Sequence, residues 1–110
     1  MKENKIIKAF DYLINDYKCS LSFEENHGNH YIFQNKTFKL KIYVWKQFDE
    51  LDINLIFNNE CFHINPYIER QFLNSKRKGI RGFFFNYSEE FWLIISEIVK
   101  NKINTILETR

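Results

Sequence analysis

Glycine and proline are scarce in this 110-residue chain, at three and one. A flexible linker or a low-complexity tract needs a composition rich in these residues, and none is visible. Three glycines also leave no Gly-rich phosphate loop and no nucleophile elbow. Cysteine is limited to Cys19 and Cys61, which read as reduced thiols rather than a staple in a chain without an export signal. Charge of one sign is lacking too. A formal net charge of +2 is too small for a dedicated nucleic-acid binder. The longest apolar run, residues 91–95, falls far short of the roughly 20 residues that span a bilayer. Lys5, Lys8 and Asp11 interrupt the first twelve residues, so these do not form the apolar core of a signal peptide. The expectation is a cytoplasmic protein without a membrane segment.

Aromatic residues are plentiful, with twelve Phe, six Tyr and two Trp, and the apolar share is 45%. That is ample for one core, and the length suits a single domain over residues 1–110. Ile6, Ile7, Phe10, Leu13, Ile14 and Tyr17 recur at three- and four-residue steps. They predict an amphipathic helix over residues 3–17, with Lys5, Lys8, Tyr12 and Asn15 on its opposite face.

The period then changes to two. Leu21 and Phe23 alternate with Ser20, Ser22 and Glu24 before a turn at His27, Gly28 and Asn29, and a short strand follows at residues 31–33. In residues 37–46, Phe38, Leu40, Ile42 and Val44 alternate with Lys39, Lys41, Tyr43 and Trp45. Leu51, Ile53, Leu55 and Phe57 alternate likewise with Asp52, Asn54, Ile56 and Asn58, and only a hairpin fits between these two runs. Residues 61–65 read as a fifth strand and 80–85 as a buried sixth, with a partly helical loop over 66–79. Asn86 and Glu89 have capping-box spacing ahead of a helix over 87–107. Its apolar arc holds Phe91, Ile94, Ile95, Ile98, Val99, Ile103 and Ile106, widened by Trp92 and Leu107, with Lys102 inside it. The predicted fold is α+β: an N-terminal helix, an antiparallel meander of five to six strands and a long C-terminal helix, both helices packed on one sheet face. The wide arc of the last helix leaves the oligomeric state open.

Two surfaces are candidate sites. One is the outer sheet face, with Lys39, Lys41, Tyr43, Trp45, Asn54, Ile56 and His63. Rigid aromatic side chains with a hydrogen-bonding group are what protein interfaces use as anchors. The other is the basic stretch of Arg70, Lys76, Arg77, Lys78 and Arg81, which has no acidic residue between Glu69 and Glu89. It could grip phosphates or an acidic protein surface.

For metal, His27 and His30 share a turn and are read as polar turn residues, while Cys61 and His63 share a strand and are read as diverging to opposite faces; no CxxC-type spacing joins them. No serine or cysteine carries a nucleophile motif, and the paired carboxylates fall in turns and helix starts. No catalytic residue, cofactor or metal is therefore expected.

The run FQNKTFKLKIYVW, the following DINLIF strand and the late FNYSEEFW helix start resemble, in layout, the small immunity proteins of bacterial polymorphic toxin systems. The resemblance implies a compact cytoplasmic domain that binds a cognate toxin and blocks it. On that reading the partner is a protein, met through Lys41, Tyr43, Trp45 and His63 together with Arg70, Arg77, Lys78 and Arg81. Nucleic acid is the lesser expectation, as a nucleic-acid-associated or regulatory module using residues 70–81, and a small-molecule site has no pattern behind it.

Overall fold

The computed structural model describes residues 4–45, 50–64 and 89–109. They belong to two compact units, one containing residues 4–11 and 89–109, the other Tyr12–Asn65.

In the first unit, helix α1 (Lys5–Ala9) starts where the Asn4 side chain accepts from the amides of Ile6 and Ile7, at 2.9 and 3.1 Å. That satisfies two of the amides that a helix start leaves without intrahelical partners. The long helix α3 (Glu89–Glu108) matches the predicted C-terminal helix closely. Phe91, Trp92, Ile94, Ile95, Val99, Ile103 and Ile106 are buried along it, as the arc predicts. Lys102 is exposed and Leu107 is 39% exposed, whereas Ile103 and Ile106 in the same turns stay buried. Ser96 is buried without cost because its hydroxyl donates to the Leu93 carbonyl at 2.7 Å. Lys8 and Glu89 make an ion pair at 3.0 Å. With both side chains about half exposed, it contributes at most about 1 kcal/mol.

The predicted first helix is not continuous. Its chain leaves helical geometry at Phe10, with φ −108° and ψ 17°, and resumes as α2 (Asp11–Asn15). Ile6, Phe10 and Leu13 are buried as expected, but Ile14 is 36% exposed. Tyr12, expected among the solvent-facing residues, is half-buried, and its ring meets Tyr17 edge-on at 6.1 Å.

The second unit carries one five-stranded antiparallel meander in the order β1-β2-β3-β4-β5: β1 (Ser20–Glu25), β2 (Asn29–Gln34), β3 (Phe38–Trp45), β4 (Glu50–Phe57) and β5 (Glu60–Ile64). Asn29, read as a turn residue, opens β2 instead, and the turn is residues 26–28. The side chains alternate along each strand and fall into rows across the sheet. One inner row is Leu21, Phe33, Leu40, Leu55 and Phe62; the next is Phe23, Tyr31, Ile42, Ile53 and Ile64. Phe33, Leu40 and Leu55 have no accessible surface. Burying a side chain of that size contributes about 1.5–3 kcal/mol. Phe23, on the marginal strand, is 53% exposed. No helix among the described residues is long and apolar enough to cross a membrane. The predicted sixth strand, the 66–79 loop and the Asn86 cap lie outside the described residues.

Candidate functional site

Register assembles the outer face. Antiparallel pairing sets Tyr43 between His30 and Asp52, and Lys41 between Ile32 and Asn54, with His63 beyond Asn54. Lys41, Tyr43, Trp45 and His63 therefore share one face, as the period-two pattern predicts. Lys39 and Ile56 pair in the next row. Arg70, Lys76, Arg77, Lys78 and Arg81 lie outside the described residues.

The aromatic end of this face is tightly built. The Tyr43 ring lies 4.5 Å from the His30 ring at 32°, and its hydroxyl donates to the His27 carbonyl at 3.1 Å. The Trp45 ring stands 6.4 Å from that of His27. His30 Nε2 contacts the Asn26 carbonyl at 3.3 Å. A carbonyl can only accept, so the imidazole proton sits on Nε2 there. His27 has φ 59° and Gly28 φ 154°, and a Cβ on Gly28 would come within 2.6 Å of the Tyr43 ring. Glycine is what lets the turn lie under that ring. Tyr43 and Trp45 are both half-buried, so the pad is held in place yet keeps exposed surface.

Beside it, an open depression of about 230 Å³ is lined by His30, Ile32, Lys41, Tyr43, Asp52 and Asn54. It offers one cation, one carboxylate and an amide around apolar walls. Asn54 Oδ1 meets His63 Nδ1 at 3.0 Å and the Cys61 thiol at 3.7 Å. Cys61 and His63 thus share a face, which corrects the reading that they diverge: positions two apart on a strand point the same way. Both cysteines are free thiols, Cys19 buried and Cys61 exposed. Burial pushes the Cys19 thiol above its ordinary range. Among the described residues no three His, Cys, Asp or Glu side chains converge as a metal group.

His27, His30, Ile32 and Asp52 are site residues that the pattern of single strands did not single out. The missing signal was register: the turn at residues 35–37, closed by the Asn35 amide on the Phe38 carbonyl, fixes which β2 residue faces Tyr43, and that places His30 beside its ring. No family model matches the chain, and neither a curated protein nor a solved structure shows significant similarity to it.

Proposed function

We propose that the chain is a protein-binding inhibitor of the immunity type, which neutralises a cognate bacterial toxin domain in the cytoplasm by seating it on the outer sheet face. The observation that carries this reading is the pad of His27, His30, Tyr43 and Trp45, fixed by the Tyr43 bond to the His27 carbonyl. Binding a partner costs the ordering of interface side chains, and rings already stacked and bonded have little freedom left to lose. Half-buried Tyr and Trp supply area together with hydrogen-bonding groups, the profile of an interface anchor. Lys41 and Asp52 beside the pad supply charges of both signs for selecting a partner.

The test is affinity capture of the tagged protein from nuclease-treated extract of its native host at physiological salt, followed by a growth assay. The captured protein, expressed alone, should slow growth. Co-expression of the wild-type chain should relieve that effect, and Trp45→Ala should relieve it at least about tenfold less well, the loss of roughly 1.4 kcal/mol of binding. Recovery of no protein partner, together with direct binding of the purified chain to added nucleic acid that weakens steeply with salt, would instead favour the basic 70–81 segment as a nucleic-acid contact.

A further inference from the structure

Strand β1 forms the margin of the sheet and pairs on one side only among the described residues. Its six pairs with β2 run from Ser20↔Gln34 to Glu25↔Asn29 without a bulge. All but Leu21 of its residues are exposed. Natural edge strands are kept from pairing by charged side chains, lysine above all, and by proline, bulges or extreme shortness. SLSFEE has no lysine, proline or bulge, and its two charges, Glu24 and Glu25, stand together at one end.

The hydrogen-bond phase shows which groups face outward. The Asn26 amide donates to the Gly28 carbonyl at 2.9 Å. Continuing that phase down the hairpin puts the ladder bonds to β2 on Ser20, Ser22 and Glu24. On the far side of β2, the Asn35 amide donates to the Phe38 carbonyl at 3.0 Å. That phase assigns the Tyr31 and Phe33 backbone groups to β3 and leaves Leu21 and Phe23 opposite them without ladder bonds. Both turns agree that the amides and carbonyls of Leu21, Phe23 and Glu25 point away from β2.

We propose that this edge is a homodimer interface, in which β1 pairs antiparallel with β1 of a second copy about Ser22, continuing the five-stranded sheet into its twin. A two-fold axis normal to the sheet keeps paired residues on the same face, so the register must centre on a residue. Centred on Ser22, Leu21 faces Phe23 of the other copy twice over, and Ser20 faces Glu24, hydroxyl against carboxylate. Centred on Phe23, Leu21 would face the Glu25 carboxylate. Centred on Glu24, two like charges would meet, which is destabilising. Of the registers centred on Ser22, Phe23 and Glu24, the Ser22 one matches Leu21 with Phe23 and keeps the four carboxylates at opposite ends of the ladder. It also covers Phe23, the most exposed large apolar side chain among the described residues, at 53%. The dimer forms whether or not the outer face holds a partner.

The test is sedimentation equilibrium over a concentration series, paired with oxidative cross-linking of Ser22→Cys in a Cys61→Ser background. The proposal expects a reversible dimer for the wild type. Phe23→Lys should weaken it at least about tenfold, roughly 1.4 kcal/mol, with unchanged circular dichroism. Ser22 would face its symmetry mate in a non-hydrogen-bonded pair with Cα atoms about 4.5 Å apart, within disulfide reach, so Ser22→Cys should trap a covalent dimer. Phe23→Pro is a second variant that removes an outward amide without touching a bond to β2, and it too should yield a monomer. A wild type that is monomeric at every concentration overturns the proposal. So does a dimer that Phe23→Lys leaves unweakened, or one that Ser22→Cys fails to cross-link.

Discussion

The ring of Tyr43 lies directly against the backbone of Gly28, so close that a Cβ on Gly28 would stand 2.6 Å from Tyr43 Cε1 and 2.9 Å from the Val44 carbonyl oxygen. A residue chosen for the partner surface is thereby also a structural tie between the β1–β2 turn and β3. Gly28→Ala introduces a clash and a side chain at φ 154°, so it should lower stability by about 1–3 kcal/mol. Tyr43→Phe keeps the packing and loses only the bond to the His27 carbonyl; its half-exposed site limits the cost to about 0.5–1.5 kcal/mol. Urea midpoints of the two variants check the order. A Gly28→Ala protein as stable as the wild type would show that the ring does not hold the turn.

Asn35 should matter more than a turn residue ordinarily does. Its Oδ1 accepts from the amides of Thr37 and Phe38, both at 2.8 Å, and its Nδ2 donates to the Tyr17 carbonyl at 2.8 Å. One side chain therefore closes the β2–β3 turn and anchors the segment that leads into β1. Asn35→Ala should cost about 1–3 kcal/mol, since three backbone partners, two of them in partly buried contacts, lose it at once. Asn35→Asp keeps the two accepted bonds and loses the donated one, so its denaturation midpoint should fall between alanine and wild type. Equal midpoints for Asp and Ala would mean that the bond to Tyr17 carries the whole effect.

The contrast between strands and helices explains what could be read from residues alone. Phe38, Leu40, Ile42 and Val44 are buried and Lys39, Lys41, Tyr43 and Trp45 are less so, because a period of two is local and each residue reports its own face. The break at Phe10 gave no such signal: Ala9, Phe10 and Asp11 contain neither Gly nor Pro, and the apolar spacing runs straight through. Lys18 at φ 58° is equally silent, since lysine has no special preference for the left-handed region. At the outer face, Tyr43 and Trp45 were visible as aromatic residues on a polar strand. His30 was not, because facing Tyr43 depends on pairing between two strands, which a single strand's pattern does not carry. The exposed edge of β1 is a property of the strand order, and it too has no signature in SLSFEE itself.

Alkaline pH should unfold the second unit through Tyr12, Tyr17 and Cys19. Burial raises the Tyr12 phenol above its ordinary 10.0, with the Tyr17 and Cys19 charges adding to the shift. Burial and then Asp16 raise Tyr17, and burial raises Cys19 above 9.0. In each case the folded state holds its proton to higher pH than the unfolded state does. Above the unfolded values, the unfolded chain binds fewer protons than the folded one, so the slope of stability against pH is negative. The stabilisation is complete below about pH 9 and is lost progressively as pH rises through the folded values. Urea midpoints should therefore hold level from neutral pH to about pH 9 and then fall. Tyr12→Phe removes the most strongly raised group, and its midpoint should decline less steeply over the alkaline range. A wild-type midpoint that stays level as free tyrosine ionises would mean that these phenols are solvated in the folded protein. A decline that Tyr12→Phe leaves unchanged would place the effect on Tyr17 and Cys19 instead.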